Sequence, residues 1–428
     1  MNGTLPTPIL QQVSNSGLIF ISWRYLGSPT LWALVRLYDN SGLVQQEQSD
    51  RGSIFYNFKP TQPLNNPPYS IRLAATDGTN IGPESVAIPV IVYIPIIREL
   101  TYDTVKVAVT LKSPTPPPPA NTYYVMTTYK DGDGENSPPF TGLKGQGTLD
   151  HAPATANCYS IVVANLDIPQ DQFSCTSTGP PSDQVGIITQ PATIERVQYM
   201  SNGQVEVDAT GPSSVGPPIT GHRHVFGNEV CGMSQQTGFA ETAGVISKDS
   251  DGDHAVLELT AEIDPSQPTC VMAAGMNISA NRETTSVGPF CTPLQMITQA
   301  PSFLSLMSTT ASKLMANWSA VPGTDIGYIV ELFRDSELID HQPTAQLNFT
   351  FAAQFEQGRV YTVAVMATAD QGKVIGPLSA QAPGPFRSNA PTVVYDSLGR
   401  LQSMSITGYR TLTYTLDSFG NITNAKVS

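Results

Sequence analysis

Tyr361-Thr-Val-Ala-Val-Met-Ala, followed by a turn and then by Gly376 and Ser379, decides how the rest of this chain is read. Apolar residues alternate along it, as a half-buried β-strand requires. The same phrase occurs three more times. It reads Tyr69-Ser-Ile-Arg-Leu-Ala-Ala with Gly82 and Ser85, and Tyr159-Ser-Ile-Val-Val-Ala-Asn with Gly179 and Ser182. The remaining copy is Cys270-Val-Met-Ala-Ala-Gly with Ser286 and Gly288. A repeat of about 90–110 residues is the size of one β-sandwich.

Working back from these phrases, residues 18–23, 32–38 and 53–58 of the first repeat read as short strands, with a turn at 39–42. The fourth repeat keeps the order: a strand ending at Trp318 matches the one ending at Trp23, and residues 327–333 match 32–38. In the middle repeats, Val105-Lys-Val-Ala-Val and Gln204-Val-Glu-Val stand at the tryptophan strand without a tryptophan. Runs of period two separated by Gly, Pro, Asn and Asp clusters are an all-β signature. No segment sustains the 3.6-residue apolar period of a helix.

The tryptophan strand, the Tyr-x-apolar-x-apolar strand and the trailing Gly and Ser resemble fibronectin type III domains in tandem. The resemblance covers residues 1–92, 93–188, 189–296 and 297–388, with the joins near Pro95, Pro191 and Pro301. It departs in the third repeat, where Cys270 takes the place of the family's Tyr, and in the middle pair, which lack the Trp. It implies four immunoglobulin-like, seven-stranded sandwiches used for spacing, adhesion and contact with proteins or glycans. Short linkers predict a stiff row of self-contained units.

Residues 389–428 differ. Val393-Val-Tyr-Asp-Ser-Leu-Gly-Arg-Leu and Tyr414-Thr-Leu-Asp-Ser-Phe-Gly-Asn-Ile are two copies of one phrase, whose Gly supplies the positive φ of a strand reversal. Tyr395, Asp396, Gly399, Arg400, Asp417, Gly420 and Asn421 make this segment similar to the YD repeat of rearrangement-hot-spot proteins, with Leu416 replacing the second Tyr. So short a segment cannot bury a core unaided. It is expected to form a small β-meander that docks on the fourth sandwich or pairs with a neighbouring copy.

Composition narrows the function. Only 13% of the 428 residues are charged, against about 25% in an average soluble domain, so the surface is polar and neutral. A net charge of −13 without any basic run argues against nucleic acid. No apolar stretch is long enough to span a membrane. The N-terminal residues lack the basic and apolar regions of a secretion signal. The expected place is extracellular or on the cell surface, reached by a route without a recognisable signal peptide.

Cysteine spacing suggests bridges Cys158–Cys175 and Cys270–Cys291, each flanking a hairpin, with Cys231 left over. Reduced, buried cysteines acting as small hydrophobes are the alternative. Carboxylates alternate at Asp131 and Asp133 and at Asp249, Asp251 and Asp253, a weak calcium pattern that ordinary acidic turns also produce. His222 and His224, with Cys231 and His254 in the same repeat, permit a metal pair, although surface histidines explain them as well. No Gly-x-Ser-x-Gly elbow or phosphate loop is present, so neither an enzyme nor a cofactor is expected. Exposed aromatics are the better lead for binding: Trp32, Tyr38, Tyr123, Tyr124 and Tyr129, all flanking turns. Two functions follow. One is an adhesive or receptor-binding protein, part of a toxin or injection apparatus; the other is a filament subunit joined through its C-terminal meander.

Overall fold

A computed structural model describes residues 5–427 apart from 25, 65–67, 116, 131–132, 142–144, 151–157, 171–172, 213–215, 234–245, 260–262, 265, 311, 324, 353–354, 357–358, 385–391, 396–399, 406–411 and 417–421. The described chain is all β save two short 3-10 turns, Glu229–Gly232 and Asp370–Gly372.

The first module holds β1 (Leu10–Asn15), β2 (Ile19–Trp23), β3 (Trp32–Asp39), β4 (Gly42–Gln48), β5 (Phe55–Phe58), β6 (Tyr69–Thr76), β7 (Ile81–Glu84) and β8 (Ile88–Val90). The second holds β9 (Ile97–Tyr102), β10 (Lys106–Leu111), β11 (Tyr123–Lys130), β12 (Asp133–Asn136), β13 (Phe140–Thr141), β14 (Gln146–Asp150), β15 (Tyr159–Gln170), β16 (Phe173–Thr178) and β17 (Val185–Gly186). In the third are β18 (Thr193–Tyr199), β19 (Gln204–Thr210), β20 (Gly221–Gly227), β21 (Ile246–Asp251), β22 (His254–Glu258), β23 (Thr269–Ile278), β24 (Thr285–Phe290) and β25 (Leu294–Met296). The fourth has β26 (Phe303–Thr310), β27 (Lys313–Trp318), β28 (Gly327–Arg334), β29 (Glu337–Thr344), β30 (Asn348–Ala352), β31 (Tyr361–Ala369), β32 (Val374–Ile375) and β33 (Ala382–Pro383). Last come β34 (Thr392–Tyr395), β35 (Leu401–Ser405), β36 (Leu412–Leu416) and β37 (Ile422–Val427), a four-stranded antiparallel meander.

With the short β13 of the second module left out of the count, each module pairs its first, second and fifth strands as one layer, and its third, fourth, sixth and seventh as the other. Alternation places one face of each layer in the core. Trp23 and Trp318 fill corresponding positions there and are almost completely buried. The Tyr361 hydroxyl accepts the Glu356 backbone N–H at 2.9 Å, which fixes the corner before β31.

The repeated phrase now has a mechanical meaning. Ser85, Ser182 and Ser379 each replace a ladder step: the backbone N–H donates to the sixth strand and the side-chain oxygen accepts from it. The acceptor carbonyls are Leu73, Val162 and Val365 at 2.8, 2.9 and 2.8 Å, and the same three residues donate back at 3.0, 2.9 and 2.9 Å. In the third module the position belongs to Cys291, whose sulfur accepts the Ala273 N–H at 3.2 Å. Three residues earlier stands Gly82, Gly179, Gly288 or Gly376. A Cβ there would collide with the side chain of Leu5, Ile91, Ile188 or Ile297, in the segment leading into that module's first strand.

This registry corrects the expected alignment of the middle repeats. Counting back from Val162 and Ala273, the residues in register with Tyr69 and Tyr361 are Cys158 and Thr269, both buried, not Tyr159 and Cys270. A slip of one residue turns every side chain to the opposite face.

The cysteine pairing is corrected too. Cys231 and Cys270 are bridged, with Cα atoms 5.0 Å apart, tying the Glu229–Gly232 turn to β23. Cys158, Cys175 and Cys291 are buried and take part in no disulfide. Cys175 lies opposite Ile168, ten residues along the strand from Cys158, which is about 33 Å at the rise of an extended chain. Cys270 and Cys291 cannot meet because Cys291 sits beside Ala273, on the other side of the pleat.

The modules are not self-contained either. In three places the seventh strand of one module pairs in parallel with the first strand of the module before it: β16 with β1, β24 with β9, and β32 with β18. Three sheets therefore cross module boundaries, and the apolar cores of the third and fourth modules form one cluster.

Candidate functional site

The β16–β1 ladder fuses seven strands of the first two modules into one sheet, ordered β12-β11-β15-β16-β1-β2-β5, with β13 and β17 attached. Register decides what its outer face carries. On β11, Tyr124, Met126 and Thr128 point into the core, so Tyr123, Val125, Thr127 and Tyr129 point out. Tyr129 faces Tyr159 across the ladder, and their rings stack at 4.9 Å. Beside them Gly134 leaves room, since a Cβ would press on the Tyr129 ring and the Thr127 methyl.

Further along, the Tyr123 hydroxyl donates to Asp167 at 3.2 Å, and Thr176 donates to the same oxygen at 2.7 Å. Burial and the Asp167 carboxylate push the Tyr123 phenol up, so it stays protonated as a donor. Thr176 pairs with Gln12, which pairs with Ser22, so the same face continues onto the first module. There Phe20 and Phe55 stack at 6.2 Å, and Phe55 is 53% exposed. One surface thus runs across the joint, with a tyrosine pair at one end, a phenylalanine pair at the other, and hydroxyls and amides between. Asp167 is the carboxylate that both Tyr123 and Thr176 engage there.

The sequence-derived aromatics divide accordingly. Tyr123 and Tyr129 belong to this face. Tyr124 does not: it is 3% exposed and packs on Phe140. Trp32 and Tyr38 lie on the other layer of the first module, where the Arg51 guanidinium covers the Trp32 ring at 4.3 Å and Tyr38 donates to Glu84 at 2.6 Å. Burial raises the Glu84 carboxyl, but hydrogen bonds from Tyr38, Arg36 and Arg72 outweigh it and hold the group below its usual range. Tyr159, Phe20 and Phe55 escape sequence reading because their partners come from strands fixed only by cross-strand register.

At the next joint the outer surface is charged. Arg223 donates to Glu99 of the preceding module at 2.9 and 3.2 Å, and to Asp249 at 2.8 and 3.0 Å. Burial works against the guanidinium charge, and these bonds outweigh it. Lys112 meets Glu283 at 2.7 Å across the same boundary, and a cleft of about 770 Å³ opens between the pairs.

The calcium pattern is corrected here. Asp249 is held by Arg223, Asp251 reaches Arg282 at 3.1 Å, and Asp253 lies 4.0 Å from the His222 ring, so the three carboxylates turn to three different partners. Asp133 is exposed on β12, and Asp131 lies outside the described residues. No group of three His, Cys, Asp or Glu side chains suited to a metal is found among the described residues.

His222 and His224 are buried rather than on the surface. They approach Gly252 O at 2.9 Å and Ser250 Oγ at 3.0 Å. Burial, aided by His222, lowers the His224 pKa to about 4, so its ring is neutral at pH 7. His254 instead meets Asp208 at 2.6 Å on the outside. Of the C-terminal motif, Asp396, Gly399, Asp417, Gly420 and Asn421 lie outside the described residues, as does the Tyr395 side chain; Arg400 is half-buried.

No protein-family model matches the chain, and no curated protein matches it. Among solved structures it is similar to the crystal structure of chicken CNTN1 FN1-FN3 domains, at 12% identity. That match covers 68% of this chain and 97% of the other, with a TM-score of 0.25. No helix of the described residues is long and apolar enough to cross a membrane.

Proposed function

We propose that this chain is a non-catalytic, exported binding protein of fibronectin type III-like modules, holding a protein or glycan ligand on the outer face shared by its first two modules. The observation that carries this reading is the continuity of that face. Aromatic pairs stand at both ends of one hydrogen-bonded sheet, so a single ligand can span the joint without ordering a linker. Flat aromatic pairs with hydroxyl and amide neighbours suit sugar rings or an apolar peptide rim. The Cys231–Cys270 bridge supports an oxidising compartment. The YD-like phrases support a place in a bacterial surface or toxin apparatus.

The test is binding of the full chain to glycan arrays and cell surfaces, compared with Tyr129→Ala and Phe55→Ala. Each substitution is expected to weaken binding by about tenfold, the worth of one stacked aromatic. Full binding by both variants would reject the face. Turnover of any polysaccharide by the wild-type protein would reject the non-catalytic reading.

A further inference from the structure

The three internal joints follow one rule, and among the described residues two of its halves lack a partner strand. Each joint pairs the seventh strand of a module with the first strand of the preceding one, in the same register. Val13 faces Ser177, Leu100 faces Ser286 and Val197 faces Val374. The residues that follow pair as Ser14 with Thr178, Thr101 with Val287, and Gln198 with Ile375. Among the described residues, β7 of the first module stands at a sheet edge, paired on one side alone with β6. The first strand of the fourth module, β26, stands at the other edge, paired on one side alone with β27.

Both edges carry side chains that fit a covered ladder better than water. All four first strands skip one residue in pairing with the second strand, at Gln11, Arg98, Glu195 and Leu304. The three internal positions are polar or charged and stay exposed in the formed joints, so Leu304, 71% exposed, departs from them in chemistry and not in cover. Met307, which occupies the position of Ser14, Thr101 and Gln198, is 45% exposed. On the opposite edge Ile81 is 58% exposed, whereas of its counterparts in the formed joints Val287 is 1% exposed and Thr178 and Ile375 are half-buried. Open strand edges are ordinarily guarded by charge, and the exposed stretch Leu304-Ser-Leu-Met carries none.

We propose that a second copy of this chain completes both edges: β26 of one molecule pairs in parallel with β7 of the next. The internal register sets the contacts, with Leu306 opposite Asn80 and Met307 opposite Ile81. A polar contact recurs as well. Ser177 and Ser286 donate from their hydroxyls to the Pro89 and Gly186 carbonyls at 2.6 and 2.7 Å. At the third joint Val374 takes their position. At the open edge it is Asn80, whose amide donates to Asp77 at 3.0 Å and would turn to the Pro383 carbonyl, the fourth-module match of Pro89 and Gly186. The segment holding Leu5 against Gly82 is no obstacle, because Ile91 and Ile188 sit against Gly179 and Gly288 in joints that form. Such a contact is head-to-tail, so it propagates from copy to copy until it closes on itself or is capped. It does not depend on the ligand-binding face proposed above, whose residues lie on sheet faces and not on these two edges.

The test uses the full chain and two variants on opposite edges, Ile81→Lys and Met307→Lys, both at exposed positions. Wild-type protein should show an average mass by light scattering that rises with concentration. Each variant alone should lose that growth while keeping the wild-type melting temperature. Mixing the two leaves one good β7 and one good β26, so the mixture should form pairs and stop there. As a register check, Ile81→Cys mixed with Met307→Cys should give a disulfide-linked pair under mild oxidation. A wild-type chain that stays monomeric throughout overturns the proposal. Growth that survives both lysines also overturns it and moves the contact elsewhere, to the C-terminal meander for instance. Failure of the mixture to pair rejects the complementary, head-to-tail geometry.

Discussion

The joint between the first two modules and the joint between the second and third share one backbone ladder but are sealed by different chemistry. At the first, the long hairpin of β15 and β16 reaches over the neighbouring module and buries Cys175 and part of Ile168 in that module's core. Gln170 donates to the Leu10 carbonyl at 3.0 Å and completes the seal. At the second, the ladder is flanked by Arg223 between Glu99 and Asp249, and by Lys112 with Glu283. The backbone rule is general, and side chains decide how each joint responds to its surroundings. An apolar joint resists salt and pH, whereas a charged one half-open to solvent is exposed to both.

The largest effect should come from placing a charge in the apolar joint. Cys175→Asp would bury a carboxylate without a partner and is expected to cost about 4 kcal/mol or more. Chemical denaturation followed by near-ultraviolet dichroism measures it, and the first two modules should weaken together. If only the second weakens, the shared-core description of this joint is wrong.

Acid should single out the module on the charged side. The His224 ring has its folded pKa lowered from 6.5 to about 4. Its unfolded form therefore binds a proton that the folded form refuses, and stability falls as pH drops from about 6.5 toward 4. The full loss is about 3 kcal/mol. Melting curves across this window should show the slope in wild type and a much flatter one in His224→Gln. An unchanged slope in the variant would assign the acid sensitivity to other groups.

The smallest effect belongs to the ion pairs. Arg223→Met should cost about 1–2 kcal/mol, because Glu99 and Asp249 are partly hydrated and recover water when the guanidinium goes. Molar salt should reproduce part of that loss in wild type and little of it in the variant, since the screening length falls to about 3 Å. An equal salt response in both proteins would mean that Arg223 acts through packing alone.

Much of the fold was legible from residues alone. Alternation in phrases such as that beginning at Tyr361, together with the tryptophans at 23 and 318, specifies strands, inner faces and module size. The errors were errors of register. Tyr159 and Cys270 look like the repeated Tyr because chemistry and spacing nearly match. The buried Ser-to-ladder contact shows that Cys158 and Thr269 stand there, and that Cys291 does the work of Ser182. The site was harder to read: Tyr123 and Tyr129 could be named, but Tyr159, Phe20 and Phe55 join them only through strand pairing.

What the sequence determined by itself is the size and strands of each module, and in the first and fourth the core-facing residues as well. Those features are local, because period two and turn chemistry act over a few residues. The tertiary structure alone decided that modules share sheets, which cysteines meet, and which outer residues form one surface. These depend on backbone N–H and C=O groups of edge strands, which every residue but proline carries alike. A ladder between distant strands therefore leaves little trace in side-chain identity until the chain is folded.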